Sequence, residues 1–95
     1  MAPYKLSNAA KIDLARIYWH GVERFGELQA DHYYEILAQR FIEIAESPYK
    51  YPLVDHIRAG YRRSVCGVDS IYYRINNGVV EVMRILGRQE VTEKL

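Results

Sequence analysis

Between positions 57 and 88 the chain holds six arginines (58, 62, 63, 74, 84 and 88) against two acids, Asp69 and Glu81. Guanidinium groups gathered on one surface suit phosphates or acidic partners. With a proton donor beside them, the same cations are what phosphodiester cleavage requires. The other reactive residue types are sparse. His20, His32 and His56 are far apart and lack a cysteine pair, so the usual zinc spacings are missing and no metal is expected. Cys66, beside Gly67, has no base nearby in sequence and reads as a packed thiol rather than a nucleophile. No glycine-rich phosphate loop is present, so no cofactor is expected.

A small sheet must present those arginines. Asn77-Gly78, between two runs of β-branched and aromatic residues, is a type I′ turn signature, because both central positions need positive φ. That turn pairs Asn76 with Val79, Ile75 with Val80, Arg74 with Glu81, Tyr73 with Val82 and Tyr72 with Met83, and leaves Arg84 opposite Ile71. Side chains alternate along a strand. Tyr73, Ile75, Val80 and Val82 therefore share the apolar face, expected to be buried. Tyr72, Arg74, Glu81 and Met83 share the other. A one-residue slip would put Arg74 into the core, so the register should be firm. Tyr61 to Val65 reads as the first strand of this three-stranded meander, and Gly67 permits its turn.

Two helices should back the sheet. After a possible short strand at Tyr4-Lys5-Leu6, Ser7 and Asn8 are good N-cap types. Leu14, Ile17, Tyr18, Gly21, Val22 and Phe25 then form a stripe at helical spacing. Ile12, Ala15 and Trp19 widen it, so this helix is expected to be largely covered. Gly26 ends it. A second helix starts near Glu27, with Ala30, Tyr33, Tyr34, Leu37, Phe41, Ile44 and Ala45 at spacings of three and four. The short link predicts an antiparallel helical hairpin. Ser47-Pro48 stops it, since the residue before proline is pushed out of the α region. The expected fold is α+β, in two layers and the order β-α-α-β-β-β.

The chain has 95 residues, 49% hydrophobic and 26% charged, which predicts one globular domain over 1–95 with a flexible tail at 89–95. Residues 1–47 carry five basic and seven acidic side chains, and residues 48–95 eight and five, so the basic face lies in the carboxy-terminal half. One cysteine fits a reducing, cytoplasmic setting. No apolar run approaches the roughly 18 residues of a membrane span, and Met1 to Asn8 lack a secretory signal layout.

Element order and motifs together resemble the ParE branch of the RelE/ParE toxin superfamily, from Tyr4 to about Gln89. The matching elements are Arg58-x-Gly60-Tyr61-Arg62, Ile71-Tyr72-Tyr73-Arg74 and Arg84-Ile85-Leu86. Phe25-Gly26, the Ala30, Tyr33, Leu37 spacing and Ser47-Pro48 match the helical hairpin. The resemblance implies the toxin of a type II toxin–antitoxin pair. It would be silenced by a ParD-like antitoxin whose carboxy-terminal segment folds on it, and would poison DNA gyrase by trapping the gyrase–DNA complex with its DNA broken. Asp69 or Ser70, and Gly87, stand where relatives often carry histidine.

The alternative within the superfamily is a RelE-like, ribosome-dependent messenger RNA endoribonuclease. Here Ser70 and Gln89 replace its arginines, and no histidine or tyrosine follows Gln89. Losing cation and proton donor together removes groups that act as a unit, which favours a non-enzyme. A third possibility is an antitoxin-binding protein without toxicity. Candidates for target contact are Arg58, Tyr61, Arg62, Arg63 and Arg88. Arg84 is either a structural arginine or a further contact. Candidates for the antitoxin are Tyr18, Trp19, Phe25, Tyr33, Tyr34 and Phe41, an aromatic set larger than a small sheet can hide. Unpaired groups at the sheet edge offer a partner strand a second place to dock. No sequence-specific nucleic-acid binding and no membrane contact are expected.

Overall fold

The computed structural model describes residues 3–87 and Leu95; Arg88 and most of the tail expected to be flexible lie outside them. The elements run β1 (Tyr4–Leu6), α1 (Asn8–Phe25), α2 (Glu27–Glu46), β2 (Arg62–Cys66), β3 (Asp69–Asn76) and β4 (Val79–Gly87). Both helices begin and end where local chemistry dictates. Ser7 Oγ accepts from Ala10 N at 3.0 Å, and Gly26 N donates to Val22 O at the junction of the helices. Asn77 and Gly78 take φ of 51° and 76°, as the two-residue hairpin demands.

The sheet has four strands in the order β1-β4-β3-β2, because β1 joins β4 in parallel and places Tyr4, Lys5 and Leu6 beside Val80, Glu81 and Val82. Near the hairpin the register is the expected one, from Asn76 opposite Val79 to Tyr73 opposite Val82. Beyond it the pairing shifts between Tyr72 and Tyr73, so Tyr72 faces Arg84 and Ile71 faces Ile85, instead of Met83 and Arg84. One extra residue on β4 re-aims its far half. β2 starts one residue later than expected, and residues 57–60 form turns rather than strand.

Against the helices the sheet buries Cys66, Ile71, Tyr73, Val80, Val82 and Ile85, which meet Ala10, Leu14, Leu37, Phe41 and Ile44. Of α1 only Ala10, Asp13 and Leu14 are buried, whereas Ile12, Trp19 and Phe25 are 69%, 62% and 68% exposed. This helix is not largely covered: the sheet is only wide enough for one narrow stripe of it. On the opposite face, Tyr72 and Leu86 are sealed under Val54 and Tyr61 of the α2–β2 connection, with Ile57, Met83 and Leu95 at the margin. Asp13 locks α1 to the bulged strand. It accepts from Arg84 Nε (2.8 Å), Arg84 Nη2 (2.9 Å) and Ile85 N (2.9 Å). Burial alone would raise its pKa, but Arg84, the Ile85 amide and Arg16 outweigh that and hold the carboxyl below its ordinary range.

Candidate functional site

A concavity of about 690 Å³ lies between the helices near their junction and reaches the β2–β3 turn. Leu14, Ile17, Ala30 and Leu37 supply apolar lining, and Tyr18, Phe25, Tyr33, Tyr34 and Val68 add ring and aliphatic surface. Geometry explains the opening. α1 and α2 are rigid cylinders about 10 Å across, and their narrow contact stripes leave the outer aromatic residues uncovered.

Polar groups fix the groove's shape. Tyr18 Oη donates to Asp31 Oδ1 at 2.6 Å across the two helices and stacks edge-on with Trp19 and Tyr34. That carboxylate bond raises the Tyr18 pKa to about 12. Tyr33 Oη donates to Asp69 Oδ2 at 2.8 Å and approaches Cys66 O at 3.1 Å, tying α2 to the β2–β3 turn. Burial, then the Asp69 bond, pushes its pKa up further. Gly67 makes this approach possible. Its φ is +60°, and a Cβ there would stand 2.6 Å from the Tyr33 ring.

The aromatic candidates divide. Phe25 and Tyr34 are exposed and Tyr18 and Tyr33 half-buried, all lining the groove, whereas Trp19, 62% exposed, does not line it and stands edge-on to Tyr18. Phe41 is withdrawn from that set: it is 2% exposed and packs on Tyr4 deep in the core. Sequence spacing placed it on the right helix face but could not say how far along that face the sheet reaches. Val68, 84% exposed and lining the groove, was missed; its position in a turn beside Gly67 was the available signal.

The arginine candidates are scattered. Arg58 is exposed, lies 5.3 Å from the Tyr61 ring centre and donates to Leu95 O at 3.1 Å. Tyr61 is 6% exposed and belongs to the second core, so it is corrected from contact residue to packing residue. Arg62 is half-buried and donates to Tyr51 O at 2.7 Å. Arg63 is half-buried on the neighbouring register position, and Arg88 lies outside the described residues. Arg84 is structural, held by Asp13. Arg74 pairs with Glu81 at 2.7 Å on the surface. The β2 edge is largely blocked: Arg40 donates to Ser64 Oγ (2.8 Å) and Val65 O (2.7 Å), and Arg63 N to Pro52 O (3.1 Å). That corrects the expectation of free backbone groups at this edge. Among the described residues, no three histidine, cysteine or acidic side chains gather as metal ligands, and no helix is long and apolar enough to cross a membrane.

This arrangement, a helical hairpin with a groove reaching the β2–β3 turn and backed by a β1-β4-β3-β2 sheet, has relatives. A family model described as the ParE toxin of the type II toxin–antitoxin system parDE matches residues 4–92. The chain belongs to the ParE toxin family. Toxin ParE1 of Caulobacter vibrioides is 40% identical over 87 residues, spanning 90% of this chain and 88% of that one. Toxin ParE1 of Mycobacterium tuberculosis is 33% identical over 84 residues, 87% and 86% of the two chains. In fold, a solved chain of the chromosomal ParDE system from P. aeruginosa superimposes with a TM-score of 0.79 at 20% identity, covering 92% of this chain and 96% of its own. As a ParE toxin, the protein is the toxin component of a type II toxin–antitoxin system.

Proposed function

We propose that this ParE toxin acts in the cytoplasm by binding DNA gyrase and stalling it on broken DNA, and that a ParD-like antitoxin silences it by occupying the groove between α1 and α2. Membership of the ParE family carries this reading. The chemistry of the fold supports binding over cleavage. Arg58, Arg62, Arg74 and Arg84 each donate to a carbonyl or carboxylate within the fold. The buried Tyr73 is a donor too, to Pro48 O, with a pKa raised to about 12 by burial although Arg62 pulls it down. A phenol held that way is poorly suited to take up a proton. An amphipathic antitoxin segment would lay its apolar face against Ile17, Tyr33 and Leu37, with Trp19, Phe25 and Tyr34 closing over it.

Purified toxin added to gyrase supercoiling and DNA-cleavage reactions is expected to suppress supercoiling and accumulate cleaved DNA; no effect at micromolar toxin rejects the gyrase target. Primer extension on translated messenger RNA separates the alternative, since discrete toxin-dependent cuts would make the protein an endoribonuclease. Trp19→Ala and Tyr34→Ala should weaken capture by the antitoxin without unfolding the toxin.

A further inference from the structure

The segment after α2 carries a second surface that the groove does not use. Tyr49, Lys50 and Tyr51 are folded back against β2 and β3 by three bonds to their backbone or to Pro48. Tyr73 Oη donates to Pro48 O at 2.7 Å, and Arg62 Nη1 donates to Tyr51 O at 2.7 Å and reaches Tyr49 O at 3.4 Å. Arg62 also lies 5.2 Å from the centre of the Tyr49 ring, and Lys50 Nζ 5.6 Å from that of Tyr51. Cation and ring thus alternate within one fixed turn. Tyr49 is 70% exposed, and Lys50 is exposed beside it. Among the described residues only Nη1 of Arg62 is engaged, leaving Nε and Nη2.

We infer that this turn is a contact site for single-stranded DNA, bound without regard to sequence. A base would stack on the open face of Tyr49 while Arg62 holds the other face, and Lys50 would meet the adjacent phosphate. Such alternation of ring and cation is how proteins grip single strands, because every base offers a π-face and every linkage a charge. An acidic protein surface would use the two cations but has no use for an open ring carried on a turn whose backbone is pinned by hydrogen bonds and backed by Arg62. The inference goes beyond gyrase inhibition and can fail by itself, since it is tested without gyrase.

The test is fluorescence anisotropy with labelled oligothymidine of about a dozen nucleotides, at low and raised salt, with polyglutamate of equal charge as competitor. Saturable binding at low salt is expected. Tyr49→Ala should weaken it about tenfold, while Tyr49→Phe should keep it. Lys50→Gln should lower the slope of log affinity against log salt by about 0.7. Both side chains are exposed, so unchanged thermal melting will show that the variants fold. Absent binding, equal competition by polyglutamate, or an unaffected Tyr49→Ala would each overturn the proposal, the second in favour of an acidic protein partner.

Discussion

The two faces of the sheet are closed by different means. On one side two helices cover Ile71, Tyr73, Val80 and Val82 yet leave a groove of about 690 Å³. On the other, the irregular connection through Val54 and Tyr61 seals Tyr72 and Leu86 to 1% and 0% exposure. An irregular chain can follow the surface beneath it, whereas straight helices touch it only along a stripe. The groove is therefore a consequence of rigidity, and rigidity also keeps it open. The sealed face buries its rings almost completely.

The largest expected effect lies in the latch that holds the helices to the sheet. Asp13→Ala removes the buried carboxylate that accepts from Arg84 and from the Ile85 amide, and should cost about 3–5 kcal/mol, read as a fall in melting temperature. The same latch sets a pH dependence. The folded pKa of Asp13 lies below its ordinary value of 3.8, so its contribution is complete above about pH 3.8 and disappears as pH falls through the folded value. Asp13→Asn should flatten that acid limb of the melting curve.

On the sealed face, Tyr61→Ala should cost about 3 kcal/mol, while antitoxin affinity measured below the melting transition stays unchanged. If that affinity collapsed, the two faces would not be independent. Within the groove, Tyr33→Phe removes the donor to Asp69, a carboxylate on a residue only 8% exposed. About 1–3 kcal/mol should be lost, together with antitoxin affinity, since the β2–β3 turn is then no longer tied to α2. Trp19→Ala, beside Tyr18, should leave the melting temperature alone and weaken antitoxin binding. The smallest effect belongs to Glu81→Gln. Its pair with Arg74 is open to water, so the change in melting should be small beside that of Asp13→Ala and should vanish at high salt.

Much was legible in the sequence where the physics is local. Ser7, Gly26 and Ser47-Pro48 mark helix ends through capping and proline sterics. Asn77-Gly78 fixes the hairpin because both residues must accept positive φ, and alternation then assigns Tyr73, Ile75, Val80 and Val82 to the helix side. The aromatic excess on α1 and α2 already exceeded what the sheet could hide, and Trp19, Phe25 and Tyr34 are exposed. What tertiary structure alone decided involves residues far apart in the chain. The parallel docking of β1 on β4, the bulge that moves Arg84 from Ile71 to Tyr72, and its capture by Asp13 71 positions away depend on surfaces that exist only once the sheet is built. Phe41 and Trp19 show the same divide. Both sit on helices at plausible spacing, but only the width of the sheet determines that one ring is buried and the other left in solvent.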